Sequence, residues 1–290
     1  MSQDWYEAVT QHRSAMEPIA TLQQPKLEPL DGIKAVIFDV YGTLVISGSG
    51  DVGSADDMDR GEQLSAALSA AGIDQAATGK VTIKTLHDEI RRANQQRLSE
   101  ACPKPEIEIV DIWRRTLAAC GIKSATTEQV NRLAAEYEAR ANPTWPMPDA
   151  AEVLRKLYAS GIRLGIVSNA QQFTIPLVED LAGVFGVDSV FDPNLCVFSC
   201  RYRQAKPAPR LFNVLCGGLQ LAGIAPSQAI YVGNDRLNDV WAADRAGLRT
   251  AWFAGDRRSL RARDDDPRVV ALPHDLVLTH LHQLITCLQG

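Results

Sequence analysis

Residues 34–44, Lys-Ala-Val-Ile-Phe-Asp-Val-Tyr-Gly-Thr-Leu, constrain the fold more than any other stretch of the chain. An apolar run of strand type, Lys34–Phe38, stops on the carboxylate of Asp39, and a Gly42-Thr43 turn follows at once. Strands buried on both faces read as continuous hydrophobic runs, and ligands of open α/β sheets bind at the carboxyl ends of such strands. An aspartate delivered there is placed to attack an electrophile or to hold a cation. Taken alone, it also reads as a helix cap or a turn residue.

The rest of the chain supplies the alternation that such a strand needs. Helical periodicity runs through Gly61–Ala71, Thr82–Ser99, Glu106–Cys120 and Thr126–Arg140. This block is bracketed by the Gly-rich segment Ser47-Gly-Ser-Gly50, read as a hinge, and by a stiff linker carrying Pro143, Pro146 and Pro148. After it come a helix over 149–160, a strand over 162–167, a helix over 173–185, a short strand near Val190 and a helix over 207–222. A strand over 229–232, a helix over 237–246, a strand over 249–253 and a closing helix over 274–288 complete the pattern. The fold class expected is α/β, a doubly wound parallel sheet with an inserted all-helical cap subdomain. The divisions are an N-terminal arm (1–30), the core (31–50 and 146–290) and the cap (51–145).

Composition narrows the partners. A chain of 290 residues with 46% hydrophobic residues is long enough to bury a large core. Its net charge of −5 offers no basic groove for nucleic acid and nothing for an anionic membrane. No signal-type amino terminus or membrane-length apolar run is present, so the cytoplasm is the expected compartment. Six cysteines in a chain of this length read as reduced thiols rather than a disulfide framework, and Cys196-x3-Cys200 is a poor zinc clamp. The arm is expected either to dock on the core or to mediate homodimer formation.

Polar clusters follow the core strands. Ser168-Asn169 succeeds Ile166-Val167, Lys206 opens the next helix, and Gly233-Asn234-Asp235-Arg-Leu-Asn238-Asp239 succeeds Tyr231-Val232. Strand ends share one sheet edge, so these segments should converge on Asp39. In this order they resemble the four motifs of the haloacid dehalogenase superfamily, over residues 33–50 and 147–255. The resemblance implies a hydrolase acting on a small molecule, with Asp39, Thr43, Ser168, Asn169 and Lys206 as catalytic residues. Asp39 would be the nucleophile and Lys206 its electrostatic partner. Mg2+ would be held among Asp39, the Tyr41 main-chain carbonyl, Asn234, Asp235 and Asp239.

Two departures divide the resemblance. Phosphatases of the superfamily carry a second Asp, the general acid, where this chain has Tyr41. Its dehalogenases share the Asp-x-Tyr-Gly-Thr-Leu pattern, and halide departs without a proton. The dehalogenases, however, carry Ser-Asn where this chain has Asn234-Asp235, and Tyr where it has Phe212. Their anion-binding arginine has no clear counterpart, with Arg60 and the Arg91-Arg92 pair as candidates. The expectation is an Mg2+-dependent phosphatase of a small phosphorylated metabolite. A 2-haloacid dehalogenase, or a weakly active binding or regulatory protein, are the alternatives. Trp113, Arg114, Arg115 and Arg92 are read as lid contacts or simply as a solvated helix face.

Overall fold

The computed structural model describes residues 3–49, 57–73, 81–181 and 190–288. Its centre is a six-stranded, all-parallel sheet in the order β5-β4-β1-β6-β7-β8. The strands are β1 (Ala35–Phe38), β4 (Arg163–Ser168), β5 (Phe191–Phe198), β6 (Ala229–Gly233), β7 (Arg249–Phe253) and β8 (Leu276–Leu278). β1 pairs with β4 on one side and β6 on the other, so the direction of winding reverses beside it. The crevice beyond its carboxyl end is therefore the topological switch point, where such sheets bind ligands.

Side chains of β1 alternate between two apolar layers. Val36 and Phe38 join Leu164, Ile166, Ile230 and Val232 on one face. Ala35 and Ile37 join Val167, Tyr231, Leu211 and Phe212 on the other. Both faces are covered, which is why the strand reads as an unbroken apolar run.

Helix α1 (Gln3–Thr10) precedes the sheet. The insert consists of α2 (Asp57–Ala70), α3 (Ile83–Arg97), α4 (Ile109–Ala119) and α5 (Thr127–Ala141). These helices enclose an apolar cluster of their own, which includes Leu68, Leu86, Trp113, Leu117 and Leu133. Thr82 and Thr126 form capping boxes at the starts of α3 and α5, satisfying amide groups that the first helical turn leaves open. The two connections expected as hinge and linker pair with each other. β2 (Val45–Ser47) and β3 (Thr144–Pro146) form an antiparallel ribbon, and Trp145 packs on the core as expected. Gly50, the last residue of the Gly-rich segment, lies outside the described residues.

α6 (Ala150–Ala159), α7 (Thr174–Leu181), α8 (Ser199–Tyr202) and α9 (Arg210–Leu221) flank the sheet. Beyond β6 the chain makes a π-helical turn over Arg236–Trp241 and runs into α10 (Ala242–Arg245). The closing helix expected over 274–288 is corrected. Leu276–Leu278 form β8 at the edge of the sheet, and only α11 (Gln283–Leu288) is helical. The apolar triplet is fully buried beside β7, and tertiary packing of this kind overrides helical periodicity.

Candidate active site

Asp39 leaves β1 with its amide donating to Val232 O (2.9 Å), so the residue is still held in the line of the sheet. The turn then closes tightly, with the Val40 carbonyl accepting from the amides of Thr43, Leu44 and Val45. Gly42 has φ +80, and a Cβ there would stand 2.5 Å from the Ser259 Cβ and 2.8 Å from Asn234 Nδ2. Only glycine meets both demands. Thr43 is fully buried and its hydroxyl donates to Asn234 Oδ1 at 3.4 Å.

Lys206 occupies the centre. Its ammonium donates to Asp39 Oδ1 (2.9 Å) and Asp239 Oδ1 (2.6 Å), and it lies 2.9 Å from the Tyr231 hydroxyl and 3.1 Å from Val167 O. An ammonium has three protons. The consistent assignment gives them to Asp39, Asp239 and the Tyr231 oxygen, while the Tyr231 O–H donates to Val167 O at 2.6 Å. Burial alone would lower the Lys206 pKa, but the attraction of Asp239 and Asp39 outweighs it and the net shift is upward. Two carboxylates therefore share one ammonium. Burial pushes Asp239 up to about 7, against the pull of Lys206 and with the help of Asp39.

The Asn169 side chain fixes the lysine from behind: its Oδ1 accepts the Lys206 amide at 2.8 Å. Ser168, at the end of β4, is 1% exposed, and its Oγ has no hydrogen-bond partner among the described residues. An unpaired buried hydroxyl at a strand end is placed to meet a ligand oxygen. Asp39, Ser168, Asn169, Lys206, Asn234, Asp235 and Asp239 all border one cavity of about 420 Å³, closed from the other side by residues of the helical insert. Its size suits a small molecule.

The side chains of Tyr41 and Asp235 also have structural partners. The Tyr41 hydroxyl bonds Thr174 Oγ1 (2.9 Å), and burial, reinforced by Glu138, raises its pKa far above the ordinary phenol value. It holds its proton too tightly for acid–base work near neutral pH. Asp235 caps the following turn, accepting from the amides of Leu237 (2.9 Å) and Asn238 (3.0 Å). The same carboxylate accepts the Asn238 side-chain amide (3.0 Å) and an ion pair from Arg263 (2.6 Å).

Among the described residues no group of three or more His, Cys, Asp or Glu is arranged around a metal position. A hard cation can nonetheless be held by few carboxylates, with carbonyl oxygens and water. Asp39 Oδ2 takes no hydrogen bond from any described residue. Asp39 and Asn234 border the same cavity, and their side-chain oxygens, like the Tyr41 main-chain carbonyl, are hard donors of the kind that suit Mg2+.

From the helical insert, α2 contributes Arg60, α3 contributes Asn94, and α5 contributes Tyr137, Glu138 and Ala141 to the cavity wall. Arg60 is 5% exposed, makes no ion pair among the described residues, and leaves its Nε without a partner. Arg91 and Arg92 instead pair with Asp88 and Glu89 on their own helix. Of the four residues read as lid contacts or solvated face, the three arginines are solvated and Trp113 is neither. Arg114 and Arg115 are exposed, as is Arg92, and Trp113 is buried in the cap, edge-on to Tyr137 with ring centroids 5.2 Å apart.

Sequence reasoning missed Tyr231, Arg263 and Glu138. Tyr231 carried one signal: it is the only residue with a polar side-chain group in Ala-Ile-Tyr-Val-Gly, and it shares a face with the strand side that Phe212 covers. A buried tyrosine hydroxyl usually has a partner.

Residues 33–247 match the family model described as haloacid dehalogenase-like hydrolase. The chain is 30% identical over 233 residues to a phosphoglycolate phosphatase of Salmonella typhi, covering 76% of this chain and 81% of that enzyme. In fold it is similar to a 2-haloacid dehalogenase of Pseudomonas syringae pv. Tomato DC3000, at TM-score 0.57 and 22% identity, over 88% of this chain and 97% of that one. It is also similar to a phosphatase of the same superfamily from Thermococcus onnurineus, at TM-score 0.50 and 19% identity, over 88% of this chain and 97% of that one. With a lysine-clamped aspartate at the switch point of a doubly wound sheet and a family match over most of its length, the chain belongs to the haloacid dehalogenase-like hydrolases.

Proposed function

We infer that the protein is a phosphatase acting on a small phosphomonoester, with Asp39 as nucleophile and Mg2+ as cofactor. The observation that carries this reading is the placement of Asp39 at the floor of the cavity, its Oδ1 held 2.9 Å from Lys206 Nζ. In the first step an Asp39 oxygen bonds to phosphorus as the bond to the alcohol oxygen breaks, and the departing alkoxide takes its proton from water. In the second, water attacks the acyl phosphate and returns the carboxylate and inorganic phosphate. Lys206 offsets the charge of Asp39 and of the transferring group, and the unpaired Ser168 hydroxyl donates to a phosphoryl oxygen. When bound, Mg2+ would neutralise phosphoryl oxygens from its seat on Asp39, Asn234 and the Tyr41 carbonyl.

Arg60 supports a substrate with a second anionic group: among the described residues it faces Glu138 without an ion pair, and a buried guanidinium so placed gains from an arriving anion. Phosphoglycolate, named for the relatives, has that charge pattern. A second reading, dehalogenation, rests on Tyr41: no carboxylic acid stands two residues after the nucleophile, and halide needs none.

The test is a paired release assay, phosphate from phosphoglycolate and halide from 2-chloropropionate, with Mg2+ and with chelator. Phosphate release that needs Mg2+ and vanishes in Asp39→Asn is expected. Phosphate release surviving in Asp39→Asn rejects the mechanism, and halide release indifferent to chelator establishes the second reading. Silence in both assays points to a binding protein.

A further inference from the structure

The family match begins at residue 33, so the first thirty-two residues lie outside the shared domain. They do not lie idle against it. Ala8 and Val9 are buried with Ala135 of α5, a cap helix, and with Phe173, which leads into the core helix α7. Gln11 Nε2 donates to Glu136 Oε1 (2.7 Å), and the His12 ring bonds Glu136 Oε2 (2.9 Å). The next residue, Arg13, pairs with Asp180 at the far end of α7. Downstream, Thr21 donates to Ala254 O (2.8 Å), and Lys26 pairs with Val277 of β8 through two backbone bonds of 3.0 Å. The arm is thus anchored to the core along its length, while its first turns grip the cap.

The grip falls directly behind the site. Val9, His12 and Arg13 border a small void together with Tyr41, Glu138, Asn142 and Phe173. Tyr41, Glu138, Asn142 and Phe173 also line the main cavity. α5 presents Tyr137 and Glu138 to the substrate space and Ala135 and Glu136 to the arm.

We propose that residues 8–13 are a positioning clasp, which holds cap helix α5 against core helix α7 and so completes the rear wall of the active-site cavity. Its action on turnover rests on the function inferred above; its action on the cap does not. Caps of mobile enzymes close by small differences between open and closed contacts. An extra bridge of one apolar contact and three polar side chains biases that balance toward closure.

The test uses the full-length chain with Gln11→Ala/His12→Ala, and separately Arg13→Ala. Arg132 and Arg140 still face Glu136 in the double variant, so no buried charge is stranded. Amide hydrogen exchange is expected to accelerate across residues 127–141 in both variants, with β1, β4 and β6 unchanged. KM for p-nitrophenyl phosphate is expected to rise about fivefold, with kcat held within about twofold. Unchanged exchange over 127–141 in both variants, while residues 3–13 exchange as free chain, overturns the clasp. If wild-type protein releases no phosphate, the exchange result alone decides, and the failure belongs to the functional reading.

Discussion

Lys206 Nζ and Asp39 Oδ1 stand 2.9 Å apart across 167 positions of sequence, inside a protein in which Lys206 is 4% and Asp39 8% exposed. A pair so placed is costly to build, since burial taxes both charges, and costly to break. Its position at the mouth of β1 rather than in the packed layers ties that cost to chemistry.

Replacing the lysine tests the electrostatic balance. Lys206→Met keeps the volume but leaves Asp39 and Asp239 without their shared cation. Unfolding free energy at pH 8 is expected to fall by about 3–5 kcal/mol. At pH 5 the loss is expected to be smaller, because a proton can take the place of the ammonium. Urea midpoints at the two pH values check both parts.

A pH dependence follows from Asp239 in chelator-treated protein. Its carboxyl is pushed up to about 7, above the ordinary aspartate value of 3.8, chiefly by burial. The folded state therefore binds this proton more tightly than the unfolded chain. Its stabilising contribution is complete below the unfolded value and is lost as pH rises through about 7. Asp239→Asn is expected to flatten the decline in stability between pH 5 and pH 8; an unaltered slope would assign that decline to other groups.

Asn234 and Asp235 separate by function. Asp235→Ala removes a helix cap and the partner of Arg263, and an expected loss of about 1–2 kcal/mol in stability follows. The Mg2+ requirement of turnover should hardly change. Asn234→Ala should raise the Mg2+ concentration for half-maximal activity about tenfold or more while leaving the cap intact. Metal titrations of activity alongside denaturation curves distinguish the two.

With the Tyr41 phenol kept protonated well above neutral pH and its hydroxyl hydrogen-bonded with Thr174, phosphate leaving groups would receive little help from it. Aryl phosphates, whose alcohols depart as stable anions, should be hydrolysed faster than alkyl phosphates in kcat. A plot of log kcat against leaving-group pKa is expected to slope steeply downward; a flat plot would reveal an acid elsewhere in the cavity.

Gly42→Ala combines an unfavourable φ with a collision against Ser259 and Asn234. A loss of about 1–3 kcal/mol and a larger fall in activity are expected, because the turn that carries Asp39 would have to move. Thermal melts and kinetics on the same preparation test it.

The alternation of strands and helices was legible in the chain because a buried parallel sheet requires unbroken apolar runs and its crossovers require helical periodicity. The same logic located Asp39, Ser168, Lys206 and the 233–239 loop, since strand ends share an edge. β8 was not legible: Leu276–Leu278 is too short to declare itself, and only the vacant edge beside β7 makes it a strand.

What the sequence determined by itself was the α/β alternation that demands a parallel sheet and the list of polar segments at its rim, both consequences of local pattern and connection rules. Which carboxylate caps a helix, which faces the lysine, and which cap arginine turns inward were decided only by the tertiary structure. Asp235 and Asp239 have the same chemistry and lie four positions apart, yet Arg263 claims one and Lys206 the other. That division depends on contacts between distant segments, and no local property of the chain encodes a distance between side chains that meet only after folding.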